Sequence, residues 1–157
     1  MKLDVTLRKA TISDISFMHQ IINSNARAGV MLPRSLQELY ENVRDFFVAE
    51  IHDQGVIGCC ALHIAWADLA EVKSLAVAED YKKHGIGKLL VEACINEAKA
   101  LGLQKVFALT MVPGFFEKQG FTHRPKNDLP HKIWTECIRC PFFPDCPEVA
   151  LIRVLRG

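Results

Sequence analysis

The stretch Glu71 to Leu101 constrains the fold of this chain more than any other. It reads as a strand, a tight basic loop with two glycines, and a helix. Glu71-Val72-Lys73-Ser74-Leu75-Ala76-Val77 combines Val and Leu with alternating polarity, as a half-buried strand does. Val77 to Tyr81 runs into a turn. From Ile86 the apolar residues Ile86, Leu89, Leu90, Ala93, Cys94, Ala98 and Leu101 recur at helical spacing, with Lys88, Glu92, Asn96 and Lys99 opposite them. Gly85 and Gly87 sit where strand gives way to helix. A helix start presents backbone N–H groups and a positive dipole end. With Lys82, Lys83, His84 and Lys88 added, the segment suits a polyanion such as a pyrophosphate. The run lacks G-x-G-x-x-G and the G-K-S/T ending, so it is neither a dinucleotide fingerprint nor a P-loop.

The rest of the chain arranges itself around this unit. Val5 to Lys9 alternates as a first strand, and Thr11 or Ser13 can cap the helix after it. Ile15, Met18, Ile22 and Ala26 give that helix an apolar face, and it stops near Gly29. Pro33 keeps its predecessor extended, and Ser35 with Glu38 forms a capping box for a short helix over Leu36 to Val43. Phe46 to Ile51 is a strand, His52 to Gly55 a turn, and Val56 to Ala65 the antiparallel return. After Gly102 stops the long helix, Lys105 to Thr110 is a strand. It follows a crossover helix, so it lies parallel to the Glu71 strand. Pro113-Gly114 opens a short helix closed by Gly120, Phe121 opens another strand, and Glu148 to Leu155 is the last. Between about residues 124 and 147 the chain is rich in Pro and Cys. The expected architecture is α/β, a mixed sheet flanked by helices, in one domain over residues 1–157.

Bulk properties narrow the function. The chain has 157 residues, a formal charge of +1 and half its residues hydrophobic, which argues against nucleic acid or an anionic membrane as main partner. No apolar run approaches spanning length, and Met1 to Val5 has no signal region behind it. A cytoplasmic location is expected, with the six cysteines as reduced thiols or metal ligands rather than disulfides.

Lys82-x-x-Gly85-Ile86-Gly87 resembles the acetyl-CoA signature of the GNAT superfamily, R/Q-x-x-G-x-G/A, with Lys keeping the charge at the first position. Leu75-Ala76-Val77 before it and Phe115-Phe116-Glu117-Lys118-Gln119-Gly120-Phe121 after it extend the match, the family form of the latter being F-Y-x-x-x-G-F. Within the superfamily the chain is similar to short N-acetylglutamate synthases, the amino-acid N-acetyltransferases that open arginine synthesis. That similarity rests on Leu32-Pro33-Arg34-Ser35, Pro113-Gly114-Phe115-Phe116, Leu129-Pro130 with Trp134, and Cys137-x-x-Cys140-Pro141 through Cys146 and Glu148.

The resemblance implies a GNAT fold, acetyl-CoA as co-substrate, an amino acid as acceptor and a homodimer as one assembly such enzymes adopt. It implies that Lys82, Lys83, His84, Gly85, Ile86, Gly87 and Lys88 take the pyrophosphate. It implies also that the strand splays from its parallel neighbour, so that backbone groups of Leu75, Ala76 and Val77 pair with the pantetheine arm. An ammonium must lose a proton before it attacks a thioester, and Glu71 is the carboxylate placed to take it. A solvated strand-start Glu, or one paired with Lys73, is the competing reading. Arg34 suits a substrate carboxylate through paired hydrogen bonds, or else is a first-turn residue facing water. Lys73 is a second carboxylate ligand or a partner of Glu71.

Phe116 stands where many relatives have a Tyr to protonate the thiolate. A thiol with a pKa near ~8.5 leaves tolerably without an acid, and water or the Thr110 hydroxyl can serve. Cys137, Cys140 and Cys146, with His131 or His123, offer ligands for a structural zinc, though the second C-x-x-C of a strong site is missing. Reduced thiols in a proline-rich lid are preferred, and a redox-sensitive pair is a third reading. Cys59, Cys60 and Cys94 read as core, and His63 as a strand histidine. An acetyltransferase for glutamate is thus expected. An enzyme for another amine or peptide terminus, or a non-catalytic acyl-CoA sensor, are the alternatives.

Overall fold

The computed structural model describes residues 4–125, 129 and 148–155. Strand β1, Val5–Lys9, leads into a 3-10 turn, Ile12–Asp14, and helix α1, Ile15–Arg27. The Asp14 carboxylate accepts from the Thr11 N–H at 2.8 Å and closes this corner. Helix α2, Leu36–Glu41, is capped by the Ser35 hydroxyl, which accepts from the Glu38 N–H. It is shorter than expected, and a 3-10 turn over Val43–Asp45 completes the segment. Strands β2, Phe46–Ile51, β3, Gly55–Trp66, and β4, Leu69–Val77, form an antiparallel meander. Helix α3, Ile86–Ala100, crosses to β5, Lys105–Thr110. Then come α4, Pro113–Lys118, β6, Thr122–Arg124, and β7, Val149–Val154.

Among the described residues these strands form one sheet in the order β1-β2-β3-β4-β5-β7-β6. Its parallel pair is β4 with β5, as the crossover requires. One face buries Cys60, Leu62, Ala70 and Val72 under α3. The other buries Val48, Cys59, Ala61 and Ala76 under α1 and α2. A smaller cluster of Leu69, Phe107, Leu129 and Ala150 lies apart from these two.

Two features depart from the sequence pattern. Helix α3 buries Ile86, Leu90, Val91, Cys94, Ile95 and Ala98, while Leu89 and Leu101 are exposed. A helix lying on a broad sheet buries the i, i+4, i+5 seam, and residues at the edge of the apolar arc turn to solvent. The second departure lies in β4. Cys59 pairs with Ala76 and Ala61 with Lys73, so Cys60 faces two residues, Ser74 and Leu75. This is a β-bulge, and Ser74 takes a left-handed φ of 55°. The extra residue resets the alternation. Strict period two from Val72 would send Ser74 and Ala76 under α3, yet Leu75 and Val77 pack there instead.

Candidate active site

The site forms where β4 and β5 part. Their pairing is confined to Leu69 with Lys105, Ala70 with Val106 and Glu71 with Phe107. Beyond Glu71, β4 runs on beside β3 to Val77, and β5 runs on beside β7 to Thr110. No described strand pairs with the edge of β4 that faces β5 from Val72 to Val77. That edge offers a row of backbone donors and acceptors to an added strand. The Leu75 and Ala76 side chains are packed in the core. The Val77 carbonyl accepts from Asn25 Nδ2 at 3.1 Å, which ties α1 to the end of the strand.

Below this opening lies the glycine loop. Gly85 caps α3 at φ 77°, a conformation glycine adopts without steric cost. Lys83 also has a left-handed φ, 70°. Among the described residues no backbone carbonyl accepts from the N–H groups of Gly85, Ile86, Gly87 or Lys88, and the first helical bond runs from Leu89 to Gly85. These donors converge on the positive end of a 15-residue helix. A Cβ on Gly87 would lie 3.3 Å from the Phe115 ring, so α4 packs directly on this turn. Ile86 contributes its N–H only, since its side chain is buried. Lys82 reaches back to Glu79 at 3.1 Å, while Lys83, His84 and Lys88 are exposed.

On the opposite side of β4, charged groups gather. Glu71 is 6% exposed and is the third residue of its strand, so a solvated strand-start role is ruled out. The Lys73 carbonyl accepts from the Cys60 thiol at 3.7 Å, but its ammonium makes no ion pair or hydrogen bond among the described residues, so the Glu71–Lys73 pair does not form. Arg34 does not face water as a first-turn residue would. Its Nε donates to the Ser74 hydroxyl at 3.1 Å and lies 3.6 Å from the Glu38 carboxylate. Asn23 Nδ2 donates to the Arg34 carbonyl and anchors its backbone. The hydrogen bond to Ser74 falls on Nε, and the guanidinium keeps further N–H donors with which to meet a carboxylate.

Three participants escaped the sequence reading. Ser74 orients Arg34 from the bulge, and nothing in a Ser marks a left-handed position. Asn25 is buried at 6% exposure, and its signal was a lone amide on the apolar face of α1. Asp45 holds His63, with Oδ2 2.7 Å from Nδ1. In addition, Phe116 is buried in the core, its ring edge-on to Phe115 and near edge-on to Phe121, and the Thr110 oxygen accepts from the Val112 N–H at 2.9 Å.

The expected metal candidates Cys137, Cys140, Cys146 and His131 lie outside the described residues, as do Pro130 and Trp134. Among the described residues no group of three metal-ligating side chains occurs, and His123 sits 3.4 Å from the Glu117 carboxylate. Cys59, Cys60 and Cys94 are fully buried thiols. Burial pushes the Cys59 thiol up to about 12. The hydrogen bond with Cys94, together with burial, raises Cys60. Such thiols are poor nucleophiles. No helix among the described residues is long and apolar enough to cross a membrane.

Known proteins resemble this chain in sequence and fold. The model of the Acetyltransferase (GNAT) family matches residues 17–121. An uncharacterized N-acetyltransferase of Chlorobaculum tepidum is 41% identical over 152 residues, covering 97% of each chain. An amino-acid acetyltransferase of Mycobacterium tuberculosis is 36% identical over 135 residues, 85% of this chain and 77% of that one. Among solved structures, N-acetylglutamate synthase from Neisseria gonorrhoeae, complexed with coenzyme A and N-acetyl-glutamate, superposes with a TM-score of 0.87 at 27% identity. It matches 100% of this chain, which spans only 36% of that longer protein. A Mycobacterium tuberculosis protein in complex with CoA superposes with a TM-score of 0.83 at 31% identity, over 96% of this chain and 99% of that one. Family match and geometry agree, and the chain belongs to the GNAT family of acetyltransferases.

Proposed function

We propose that the protein transfers the acetyl group of acetyl-CoA to the α-amino group of L-glutamate, the step that opens arginine synthesis. One observation carries this reading. Two cations, Arg34, which is bound to Ser74 and paired with Glu38, and Lys73, whose ammonium has no ion pair among the described residues, stand on or against the β4 segment that carries the buried Glu71 where it leaves β5. A dicarboxylic amino acid brings two carboxylates and one ammonium, and the site holds the complementary set. The gonococcal neighbour bound to N-acetyl-glutamate supports the same substrate.

Acetyl-CoA lies along the open edge of β4, its pantetheine amides pairing with backbone groups of Leu75, Ala76 and Val77. Its pyrophosphate rests on the N–H groups of Gly85 to Lys88, with Lys82, Lys83 and His84 close by. Arg34 takes one substrate carboxylate in a paired geometry and Lys73 the other. Glu71 accepts the ammonium proton, directly or through a water, and the amine attacks the thioester carbonyl. A backbone N–H near Leu75 stabilises the developing oxyanion. The thiolate departs without a dedicated acid, because its pKa lies near ~8.5.

The test is thiol release from acetyl-CoA over the common amino acids, with wild-type protein and Glu71→Gln. L-Glutamate should give the highest kcat/KM. Glu71→Gln should lower kcat by about 100-fold near neutrality and recover as pH rises and free amine accumulates. Release with no amino acid above background, or wild-type turnover by Glu71→Gln at every pH, contradicts the reading.

A further inference from the structure

Acetyl transfer from a thioester to an ammonium leaves a proton over. The ammonium nitrogen becomes an amide nitrogen and loses two protons. One ends on the coenzyme A sulfur, and the other must reach water on every turnover. Glu71, as the first acceptor, is 6% exposed and needs an outlet. In the β3–β4 register His63 stands directly opposite Glu71. Directly opposed residues of an antiparallel pair share a face, with Cβ atoms about 4.5–5.5 Å apart. The His63 side chain is 35% exposed, so it reaches solvent from the face that it shares with Glu71. Asp45 Oδ2 lies 2.7 Å from its Nδ1. A carboxylate only accepts, so Nδ1 carries the hydrogen and Nε2 is the basic nitrogen.

We infer that His63, held in this tautomer by Asp45, carries the substrate-derived proton from Glu71 to water. The inference rests on the proposed role of Glu71. An N–H bond of the ammonium breaks as an O–H bond forms on Glu71. That bond breaks in turn as Nε2–H forms, and the imidazolium charge is offset by Asp45. Water then takes the proton from the exposed ring and returns His63 to neutrality. Among the described residues, Asp45 from the turn before β2 holds one ring nitrogen, Glu71 stands opposite in the β3–β4 register, and Lys73 lies two residues further along β4. His63 is a positioning and relay residue, since the chemistry at the thioester does not touch it.

The test uses the full chain with acetyl-CoA and L-glutamate in steady state. His63→Ala should lower kcat by about tenfold, leave both KM values near wild type, and regain rate when imidazole is added to the buffer. His63→Gln keeps volume and a donor for Asp45 but takes no proton, so it should lose the same kcat while retaining the wild-type melting temperature. Wild-type kcat in both variants, or a loss that imidazole does not restore, overturns the relay. A wild-type protein that acetylates no amino acid removes the proposed function and the relay with it, whereas an active wild type with unaffected variants removes the relay alone.

Discussion

At the residue scale, what a side chain does here is decided by what it meets across the fold. Arg8 illustrates this away from the site. Its guanidinium reaches Asp14 at 2.7 and 3.0 Å and Glu50 at 3.3 Å. The Asp14 side chain is 7% exposed, and its hydrogen bond with Arg8 holds the carboxyl below the usual carboxylate range. Arg8→Ala would leave that carboxylate buried with only Thr11, at a cost of about 1–3 kcal/mol in unfolding free energy. The pH dependence follows from the sign of the shift. A lowered folded value means that the native state binds fewer protons. The contribution is therefore complete above the ordinary carboxylate value, about 3.9, and is lost as pH falls through the lowered one. Urea midpoints of wild type and Asp14→Asn should differ at neutral pH and converge in acid. A constant gap would show that Asp14 gains nothing from its charge. The legibility of individual residues was uneven for the same reason. The loop that holds Arg34 was legible because Pro33 before it and the Ser35–Glu38 cap after it are local signals. Ser74, Asn25 and the Asp45–His63 pair depend on partners 18 to 52 positions away, and no local pattern marks such meetings.

At the scale of elements, the strands were the most legible. The expected bounds of β1, β2 and β5 coincide with Val5–Lys9, Phe46–Ile51 and Lys105–Thr110, because alternation and flanking turn residues define them locally. The bulge in β4 was not legible. Its cause is the register against β3, where Cys60 meets two residues, and either side of it looks like ordinary strand. The contact face of α3 was mistaken at Leu89 and Leu101 because heptad-like spacing suits a helix partner, and its partner is a sheet. The N-terminal turn of α3 is positioned from outside by α4, through Phe115 against Gly87. Gly87→Val should therefore displace that turn and its row of N–H donors. The expected result is coenzyme A binding weakened by about tenfold in calorimetry, equivalent to ~1.4 kcal/mol. Unchanged affinity would remove the Gly87 turn from the cofactor site.

Across the whole molecule, the proposed function assigns the two substrates to different sides of the sheet. The open edge of β4 and the α3 terminus present backbone donors on the side assigned to the coenzyme. The loop before α2 brings Arg34 across to Ser74 at the bulge of β4, the strand that also carries Lys73 and Glu71, on the side assigned to the amino acid. The bulge links the two halves, since the residue that orients Arg34 also turns Leu75 and Val77 toward α3. This division makes a sharp demand on kinetics, because an acceptor ligand should be separable from the donor site. The most direct measurement is the steady-state rate of Arg34→Ala with L-glutamate and acetyl-CoA both varied. The KM for L-glutamate should rise by about tenfold or more, the loss of a paired charge-assisted contact, while the KM for acetyl-CoA stays at its wild-type value. Glutamate kinetics left untouched, or a loss that falls equally on both substrates, would contradict the assignment of this face to the amino acid.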